Sequence, residues 1–425
     1  MVRSPAWLAK LGTLSLLYAS VFLTRIGFGA IIIIFPIYIQ AGSAVAGLVT
    51  ALYPAVEGFS ALPVGAYVDR RGRRRAFVVG MILVSILTLI IGLSGNIFLV
   101  ATAHGLTGLA AALITVSSLT MITDLTMEEN RGAGMGAFNL STLSGYGLGI
   151  VLGVVFAKVF SSSLGDSFIV VAGILAVAAV FAYFALREPP HARTERRTLG
   201  ELYNNLTGDV SAILPVWFAL TIVLGFYLFI PKLVKNASAD ISQSAPLILL
   251  GLLVLGAGAV LFGRLSDKIG RTKTMIIGVV GQVGFLLVFP SIFEPLILIP
   301  PDTPWLVTYS EIGPILIVAV ILFFLGAALL PSVLAYMADK ATLGYRGATM
   351  GLYSLLLSAG IALGTILAGF ADQLAGIPGV FYSAVVILSG LSLTTGFLLH
   401  KGTATRSTMA LGTPENRPGP GSKPI

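Results

Sequence analysis

The stretch GAYVDRRGRRR, residues Gly65 to Arg75, places five arginines and one aspartate between long apolar runs. A near copy, GRLSDKIGRTK, occupies Gly263 to Lys273 with the same spacing of Gly, Asp, Gly and Arg. One such block can arise by chance, but two blocks with matching spacing indicate a duplicated architecture. The chain is therefore predicted to consist of two related halves, each organised around one block.

The composition of the chain is that of a polytopic membrane protein. Hydrophobic residues make up 56% of its 425 residues and charged residues 10%, with a mean hydropathy of +0.96. Too few polar side chains remain to cover a soluble surface. Cysteine is absent, which excludes disulfides, cysteine-ligated metals and thiolate nucleophiles. The histidines His104, His191 and His400 have no metal-ligand spacing, so neither a metal nor a cofactor is predicted.

Apolar segments long enough to cross the bilayer recur along the whole chain. About 20 helical residues cross roughly 30 Å of hydrocarbon, which predicts an all-α protein with twelve transmembrane helices. The first segment is too long for a cleaved signal peptide and lacks a small-residue cleavage pattern, so it is counted as a span. The predicted spans lie near 12–40, 45–68, 76–94, 97–124, 132–157, 166–186, 209–231, 245–263, 274–290, 313–337, 347–370 and 378–399.

The spans form two six-helix bundles, predicted at residues 1–186 and 209–400. A charged segment at 187–208 joins them and is assigned as a cytoplasmic linker, because two prolines end the sixth helix there. The tail at 401–425 is rich in Gly, Pro, Ser and Thr. Such a composition cannot bury enough apolar surface to fold, so a disordered cytoplasmic tail is predicted.

Positive charge is distributed unevenly over this topology. With both termini in the cytoplasm, all 26 lysines and arginines lie on the cytoplasmic side except Arg25, Lys158, Lys232 and Lys235. This asymmetry follows the positive-inside rule and predicts a multi-pass protein of the cell membrane. Topology and attraction to the inner leaflet also account for the net charge of +8. Nucleic acid is therefore not expected as a partner.

The loops after the two blocks repeat as well. Asp124 closes span four and Arg131 opens span five, while Asp339 closes span ten and Arg346 opens span eleven, with the same separation in both pairs. Two six-helix halves in parallel repeat are a transporter architecture. The interval from Gly263 to Asp339 is longer than the interval from Gly65 to Asp124. We therefore predict a long, proline-rich external loop around residues 290–314.

The block at Gly65 resembles the loop 2–3 signature of the major facilitator superfamily, G-x-x-x-D-R/K-x-G-R-R/K. The block at Gly263 resembles the weaker copy of that signature between spans eight and nine. Together with the twelve spans, the resemblance covers nearly all of the chain. It implies two pseudosymmetric bundles in the lipid bilayer around a cavity that opens alternately to either side. A small-molecule substrate and a monomeric state are expected.

The resemblance also implies a latch that closes the cytoplasmic side. Asp69 is expected to meet the positive N-terminal end of span eleven. Arg73 is expected to pair with Asp124, and by symmetry Arg271 with Asp339. The predicted cytoplasmic gate comprises Gly65, Asp69, Gly72, Arg73, Asp124, Arg131, Gly263, Asp267, Gly270, Arg271, Asp339 and Arg346.

Two glycines of the block have separate structural tasks. Gly65 is small enough to let helix two approach a neighbour closely, and Gly72 permits the tight turn into span three. A competing interpretation of the arginines is that they only set topology and face the lipid headgroups. We apply that interpretation to Arg74 and Arg75.

Two ionisable residues lie deep in the predicted membrane. Glu57 is about 18 Å of helix rise away from Asp69, and Arg25 lies about 18 Å into span one. Charged residues at this depth are costly and indicate a functional site. Three interpretations remain open. The two residues form a static ion pair, or Glu57 is a proton switch that releases Arg25, or Arg25 binds an anionic substrate.

The second half has no matching charges, since Leu220 aligns with Arg25 and Leu255 with Glu57. This favours a proton site in the first half and a largely apolar wall opposite. His104 is expected at the outer interface rather than as a proton carrier. Further candidates for the cavity, each of which could equally serve helix packing, are Tyr53, Asn139, Tyr146, Gln282 and Tyr353.

The leading functional hypothesis is a proton-coupled secondary transporter that exports amphipathic compounds. Its basis is the stretch RIGFG from Arg25 to Gly29, followed by Pro36, which resembles span one of drug-exporter-like members. Span five reads SGYGLGIVLG, without the proline that the drug:proton antiporter branch carries there, and this departure argues against antiport. The alternative is uptake or uniport of an organic anion or other metabolite.

Other classes of protein fit the sequence less well. No Walker A pattern is present, which argues against ATP-driven pumping. A membrane-embedded enzyme would need clustered His, Asp or Cys, so no enzymatic activity is predicted. A transporter-like sensor would need an added signalling domain and is a remote alternative.

Overall fold

The structure is a computed structural model that describes residues 6–127, 131–189, 208–236, 245–298, 305–340 and 346–411. Every regular element within these ranges is an α-helix. The first half contains α1 (Ala6–Tyr38), α2 (Ser43–Arg71), α3 (Arg73–Leu93), α4 (Ile97–Leu125), α5 (Arg131–Val159) and α6 (Leu164–Ala185). The second half contains α7 (Gly208–Asn236), α8 (Ala245–Ile269), α9 (Arg271–Val288), α10 (Pro290–Leu298), α11 (Trp305–Gly326), α12 (Leu329–Lys340) and α13 (Arg346–Leu411).

In the described part of the chain, 11 helical segments are long and apolar enough to cross a membrane. The last of them, Leu355–Lys401, is bent at Gly376, whose φ of 62° and ψ of −159° are not helical. The bend divides α13 into two crossings. The predicted fold class, an all-α protein with twelve spans, is therefore confirmed.

Both blocks fold into the same sharp turn between consecutive helices. Gly72 separates α2 from α3 with φ of 97°, and Gly270 separates α8 from α9 with φ of 98°. Positive φ is costly for residues with a Cβ, so glycine is needed at both turns. We call the membrane face at these turns the arginine-rich face, and the face at the end of α1 and α7 the opposite face.

Glycines also set the closest helix contacts, in the same way in each half. A Cβ placed at Gly149 of α5 would lie 2.8 Å from the Cα of Gly29 in α1. A Cβ at Gly364 of α13 would lie 2.9 Å from the Cα of Gly225 in α7. Neither position has room for a side chain, which lets the two backbones touch.

The two halves meet along α2 and the first crossing of α13. A Cβ at Gly47 would lie 3.1 Å from the Cα of Gly369, and one at Gly58 would lie 2.8 Å from the Cβ of Ser358. By contrast, no atom of the described residues lies within 4 Å of a Cβ placed at Gly65. The close approach of α2 expected at Gly65 thus occurs at Gly47 and Gly58.

Two expected irregular segments are helical. The proline-rich loop predicted around residues 290–314 is occupied by α10 and the first part of α11, with 299–304 outside the described residues. Pro290 is the first residue of α10. N–H groups in the first turn of a helix have no partner within it, so a proline there costs no helical hydrogen bond. The predicted disorder from residue 401 is wrong up to Leu411, where α13 ends, because proline first appears at Pro414. Most of the predicted linker, 190–207, and the tail from 412 lie outside the described residues.

Candidate functional site

Arg73 is the centre of the charged cluster on the arginine-rich face of the first half. Its Nε lies 2.9 Å from Oδ2 of Asp124, and the two side chains are only 2% and 5% exposed. Its Nη2 lies 3.8 Å from Oδ1 of Asp69, whose side chain is 44% exposed. The contact expected between Arg73 and Asp124 is present, and it joins α3 to the end of α4.

Arg271 makes the equivalent contacts in the second half. Its Nε lies 3.0 Å from Oδ2 of Asp339, and its Nη1 lies 2.5 Å from Oδ1 of Asp267. Nη1 also donates a hydrogen bond of 2.6 Å to the hydroxyl of Ser266. The second pair is more accessible to solvent, with side chains of Arg271 and Asp339 that are 23% and 54% exposed.

The predicted helix partner of Asp69 and the side chains of three other predicted site residues lie outside the described part of the chain. The expected partner of Asp69 is the start of span eleven, whose side chains lie outside the described residues. The same is true of the side chains of Arg131, Arg346 and Tyr353, although their backbones belong to α5 and α13. The gate role of Asp69, Arg131 and Arg346 and the cavity role of Tyr353 stay predictions.

Glu188 belongs to the cluster and was missed in the sequence, where it was counted as part of the linker. Its carboxylate accepts hydrogen bonds from the backbone N–H groups of Arg73, at 2.6 Å, and Arg74, at 2.9 Å. These are unsatisfied donors at the N-terminus of α3, where negative charge is favoured. The only sequence signal was a carboxylate just after span six, and nothing there indicated its partner.

Arg74 is more than a topological charge. Its Nε donates to the carbonyl of Leu186 at 2.7 Å and its Nη2 to that of Tyr183 at 2.5 Å. Its guanidinium also lies 5.2 Å from the centre of the Tyr183 ring. A cation at the C-terminal carbonyls of a helix is favourable. The purely topological interpretation of Arg74 is therefore wrong, since this side chain binds α3 to the end of α6.

A hydrogen-bonded network occupies the middle of the first half. Arg25 of α1 is 6% exposed. It donates from Nη1 to the hydroxyl of Tyr146 at 2.9 Å and from Nη2 to the hydroxyl of Thr115 at 3.1 Å. The side chain of Glu57 lies beside the hydroxyls of Thr115 and Tyr53. Four helices, α1, α2, α4 and α5, thus contribute to one polar network inside an apolar bundle.

Thr115 is hydrogen-bonded to Arg25 and lies beside Glu57, and the two charges do not touch. Among the described residues, Arg25 and Glu57 form no direct salt bridge. The interpretation of Arg25 and Glu57 as a static pair stays a prediction, because the two charges still interact electrostatically without direct contact. Thr115 was not identified from the sequence, because a threonine in an apolar helix more often bonds to its own backbone.

Aromatic rings complete the surroundings of the buried cation. The guanidinium of Arg25 lies 5.5 Å from the ring centre of Phe28 and 5.2 Å from that of Tyr146. Both distances suit a cation–π interaction. The Nε atom of Arg25 is buried without a hydrogen-bond partner in the structure. Arg25 therefore keeps one donor available for a further acceptor.

His104 is buried among aromatic rings. It is 5% exposed, its ring stacks on Phe35 with centroids 3.6 Å apart, and it lies 5.7 Å from the ring of Tyr53. Aromatic rings of α1 and α2 therefore cover His104, and its expected depth at the outer interface stays a prediction.

The remaining cavity candidates lie apart from this network. Gln282 is buried in the second half, where its amide donates to the hydroxyl of Tyr227. Tyr227 in turn packs near Phe285 and Phe323, at centroid distances of 6.4 and 6.5 Å. Asn139 of α5 has an exposed side chain and is not bonded to the Arg25 network.

Comparison with known proteins identifies the family. A sequence model described as Major Facilitator Superfamily matches residues 17–310 and 251–415. The chain belongs to the Major Facilitator Superfamily. Members of this superfamily are transporters, so the chain is a multi-pass membrane transporter for small molecules.

Similar proteins match over most of their length but at low identity. Multidrug resistance protein 2 of Bacillus subtilis (strain 168) is 22% identical over 396 residues, which cover 89% of this chain and 93% of that protein. An MFS-type transporter of Methanocaldococcus jannaschii, MJ1560, is 24% identical over 383 residues, covering 87% of this chain and 94% of that protein.

Solved structures share the fold. A crystal structure of a bacterial homolog of the human lysosomal transporter Spinster, inward-facing and occupied, superposes with a TM-score of 0.68. The alignment covers 94% of this chain and 98% of that chain, at 16% sequence identity.

Proposed function

We propose that this chain exports amphipathic compounds from the cell by alternating access, in exchange for protons that bind at Glu57. The arginine-rich face and both termini are assigned to the cytoplasm, because most positive charges lie there. A single chain supplies both bundles of the transport path. The names of relatives such as Multidrug resistance protein 2 support export of this kind.

The observation that carries the proposal is the position of Glu57 in the Thr115 network. A carboxylate in a direct buried ion pair is fixed in its charged form by its partner. Glu57 instead lies beside two hydroxyls, of Thr115 and Tyr53. Hydroxyls can donate or accept, so they can satisfy both the ionised and the protonated carboxyl group. Glu57 is thus suited to gain and lose a proton while the surrounding side chains stay in place.

The missing proline in span five does not remove the helix contact that its glycines provide. Gly145, Gly149 and Gly153 of α5 all lie against the backbone of α1. That contact brings Tyr146 next to Arg25. The second half supplies a neutral, aromatic wall around Tyr227, which suits the apolar part of an amphipathic compound.

Flux measurements in proteoliposomes test this function. The purified chain is reconstituted with a fluorescent amphipathic cation, and flux is followed with and without an imposed pH gradient. The Glu57→Gln variant is expected to lose the acceleration by the gradient, because an amide cannot bind and release the coupled proton. The control Thr102→Val alters an exposed side chain of α4 that bonds to the carbonyl of Phe98, and should keep the acceleration. Full pH-driven flux in Glu57→Gln would overturn proton coupling at this residue.

Transport of an organic anion is the second candidate function. Its support is the unpartnered Nε of Arg25, a buried donor available to a carboxylate or phosphate group. For this function, Arg25→Gln should abolish flux of an amphipathic anion, while Glu57→Gln should leave that flux intact. If both variants fail equally with both probes, the anion function is rejected.

A further inference from the structure

A groove runs along the outer surface of the first half, between α3 and α6. Its volume is about 310 Å³. Ile82, Ile86 and Val180 line it with apolar side chains that are largely exposed. Exposed apolar side chains on helices that cross a membrane face the hydrocarbon of the bilayer. The groove, which we call the α3–α6 groove, is therefore open to the acyl chains of lipids.

The floor of the α3–α6 groove is apolar. Ala176 and Ala179 line it from α6, and their small side chains leave the space that a larger residue would fill. Ser85 lines it from α3, but its hydroxyl already donates to the carbonyl of Ala172 at 2.9 Å. Such a floor offers close packing contacts to a hydrocarbon chain.

One end of the groove lies at the arginine-rich face. Tyr183 and Phe184 line this end, in the last turn of α6. Tyrosine is favoured where hydrocarbon meets the headgroups, because its ring is apolar and its hydroxyl is polar. Arg74 of α3 holds the two helices together here through its bonds to the carbonyls of Tyr183 and Leu186. This end of the groove is therefore built at headgroup depth.

Two further arginines stand at this end of the groove, and both are exposed. Arg75 precedes Ile82 by seven residues and Ile86 by eleven. At 3.6 residues per turn, these spacings place the arginine on the same face of α3 as the two isoleucines. Side chains in a helix tilt toward its N-terminus, so Arg75 extends from the groove toward the headgroups. Arg187 follows the end of α6, which is the other wall of the groove.

The charge at this end is positive, although Glu188 lies nearby. The carboxylate of Glu188 accepts hydrogen bonds from the backbone N–H groups of Arg73 and Arg74. Its charge is thus directed at the N-terminus of α3. Against this one carboxylate stand the guanidinium groups of Arg74, Arg75 and Arg187. Guanidinium groups bind phosphate oxygens through strong, charge-assisted hydrogen bonds. The groove therefore combines an apolar channel with a headgroup site that suits an anion.

We propose that the α3–α6 groove binds one anionic phospholipid, with an acyl chain along Ala176 and Ala179 and the phosphate at Arg75 and Arg187. The site shares no residue with the Arg25 network. It depends neither on the transported compound nor on the direction of transport. The competing possibility is that any lipid of the bilayer fills the groove, without preference for its headgroup.

Lipid titrations followed by native mass spectrometry test the site. The purified chain in detergent is titrated with phosphatidylglycerol and, separately, with phosphatidylcholine that carries the same acyl chains. The first phosphatidylglycerol should bind about tenfold more tightly than the first phosphatidylcholine. In Arg75→Gln combined with Arg187→Gln, this preference should fall to about twofold or less. Equal binding of the two lipids to the parent chain would overturn the proposal.

A matched variant controls for general attraction to the basic face. Lys268→Gln combined with Lys273→Gln removes the same charge from the arginine-rich face of the second half. Lys273 is the counterpart of Arg75 in the duplicated block, and both lysines are exposed. This variant should keep the preference of the parent for phosphatidylglycerol. If it lost as much of that preference as the arginine variant, the specific site would be rejected.

Filling the groove tests the position of the acyl chain. Ala176→Phe places a large side chain in the groove, whereas Val177→Phe places it at the neighbouring exposed position, which does not line the groove. A ligand that binds the folded state raises the Tm. Phosphatidylglycerol should therefore raise the Tm of Val177→Phe as it does that of the parent, and should leave the Tm of Ala176→Phe unchanged. Equal shifts in the two variants would overturn the groove as the site of the acyl chain.

Discussion

The Arg73–Asp124 and Arg271–Asp339 pairs have nearly identical geometry, with Nε to Oδ2 distances of 2.9 and 3.0 Å. Their surroundings differ, because the side chains of the first pair are 2% and 5% exposed and those of the second are 23% and 54% exposed. Solvent weakens an exposed pair, whereas a buried pair that loses one partner leaves an uncompensated charge. The duplicated motif is therefore structurally more important in the first half.

The middle of the membrane shows a sharper difference between the halves. The first half contains the network of Arg25, Thr115 and Glu57. At the aligned positions of the second half stand Leu220, which is buried, and Leu255, which is partly exposed. In the described part of the chain, the two halves thus share the turns, the ion pairs and the glycine contacts, while the charges of Arg25 and Glu57 have no counterpart at the aligned positions of the second half.

The largest expected effect tests whether the more buried ion pair contributes more to stability than the exposed one. Asp124→Asn should lower the free energy of unfolding by about 3–5 kcal/mol, because it leaves the buried Arg73 with only the longer contact to the exposed Asp69. Asp339→Asn, the matched change in the second half, should cost less than about 1 kcal/mol. Denaturant unfolding in detergent micelles, followed by circular dichroism, measures both. Equal losses would contradict the importance assigned to burial.

The second-largest effect tests the close glycine contact that both halves share. Gly149→Ala and Gly364→Ala should each destabilise the protein by about 1–3 kcal/mol, since an added Cβ overlaps the facing backbone. Gly147→Ala is the control in the same helix as Gly149, because no described atom lies within 4 Å of its added Cβ. The same unfolding measurement applies. A large difference between Gly149→Ala and Gly364→Ala would show that the halves do not share this contact.

A third prediction concerns the polar network alone. Thr115→Val keeps both charges but removes the hydroxyl that bonds to Arg25 beside Glu57, and should reduce pH-driven flux about tenfold, equivalent to roughly 1.4 kcal/mol. Gln282→Met, which removes the polar contact with Tyr227 in the second half, should leave the pH dependence of flux unchanged. Proteoliposome flux across a range of imposed gradients measures both. If Gln282→Met alone altered the pH dependence, coupling would have to be reassigned to the second half.

The smallest expected effect concerns Glu188, which caps α3 beside Gly72. An added Cβ at Gly72 would lie 3.0 Å from this carboxylate, whereas none of the described atoms lies within 4 Å of one at Gly270. Glu188→Gln should cost about 0.3–1 kcal/mol, the usual contribution of a charge at a helix end. Arg187→Gln, at the adjacent exposed position, is the control and should change nothing measurable. A thermal unfolding series in low and high salt checks both, and the loss should shrink as salt screens the charge.

The sequence by itself determined the number of spans, the duplicated halves and the glycine turns between α2 and α3 and between α8 and α9. Hydrophobic length and positive φ are local requirements, so they can be recognised without knowing what lies nearby. The depth of Arg25 and Glu57 followed in the same way from helix rise. The pairing of Arg73 with Asp124 was predicted from the resemblance to a family. What is known of a family already includes which residues are in contact.

Only the tertiary structure decided which polar groups meet. Thr115 between Arg25 and Glu57, Glu188 at α3 and Lys232 against the carbonyl of Ile39 each join residues far apart in the chain. Threonine, glutamate and lysine occur at many positions where they have no such partner. Their identity alone therefore did not predict these contacts. Their roles follow from the packing of helices, which brings a donor within about 3 Å of an acceptor and excludes the water that would otherwise compete.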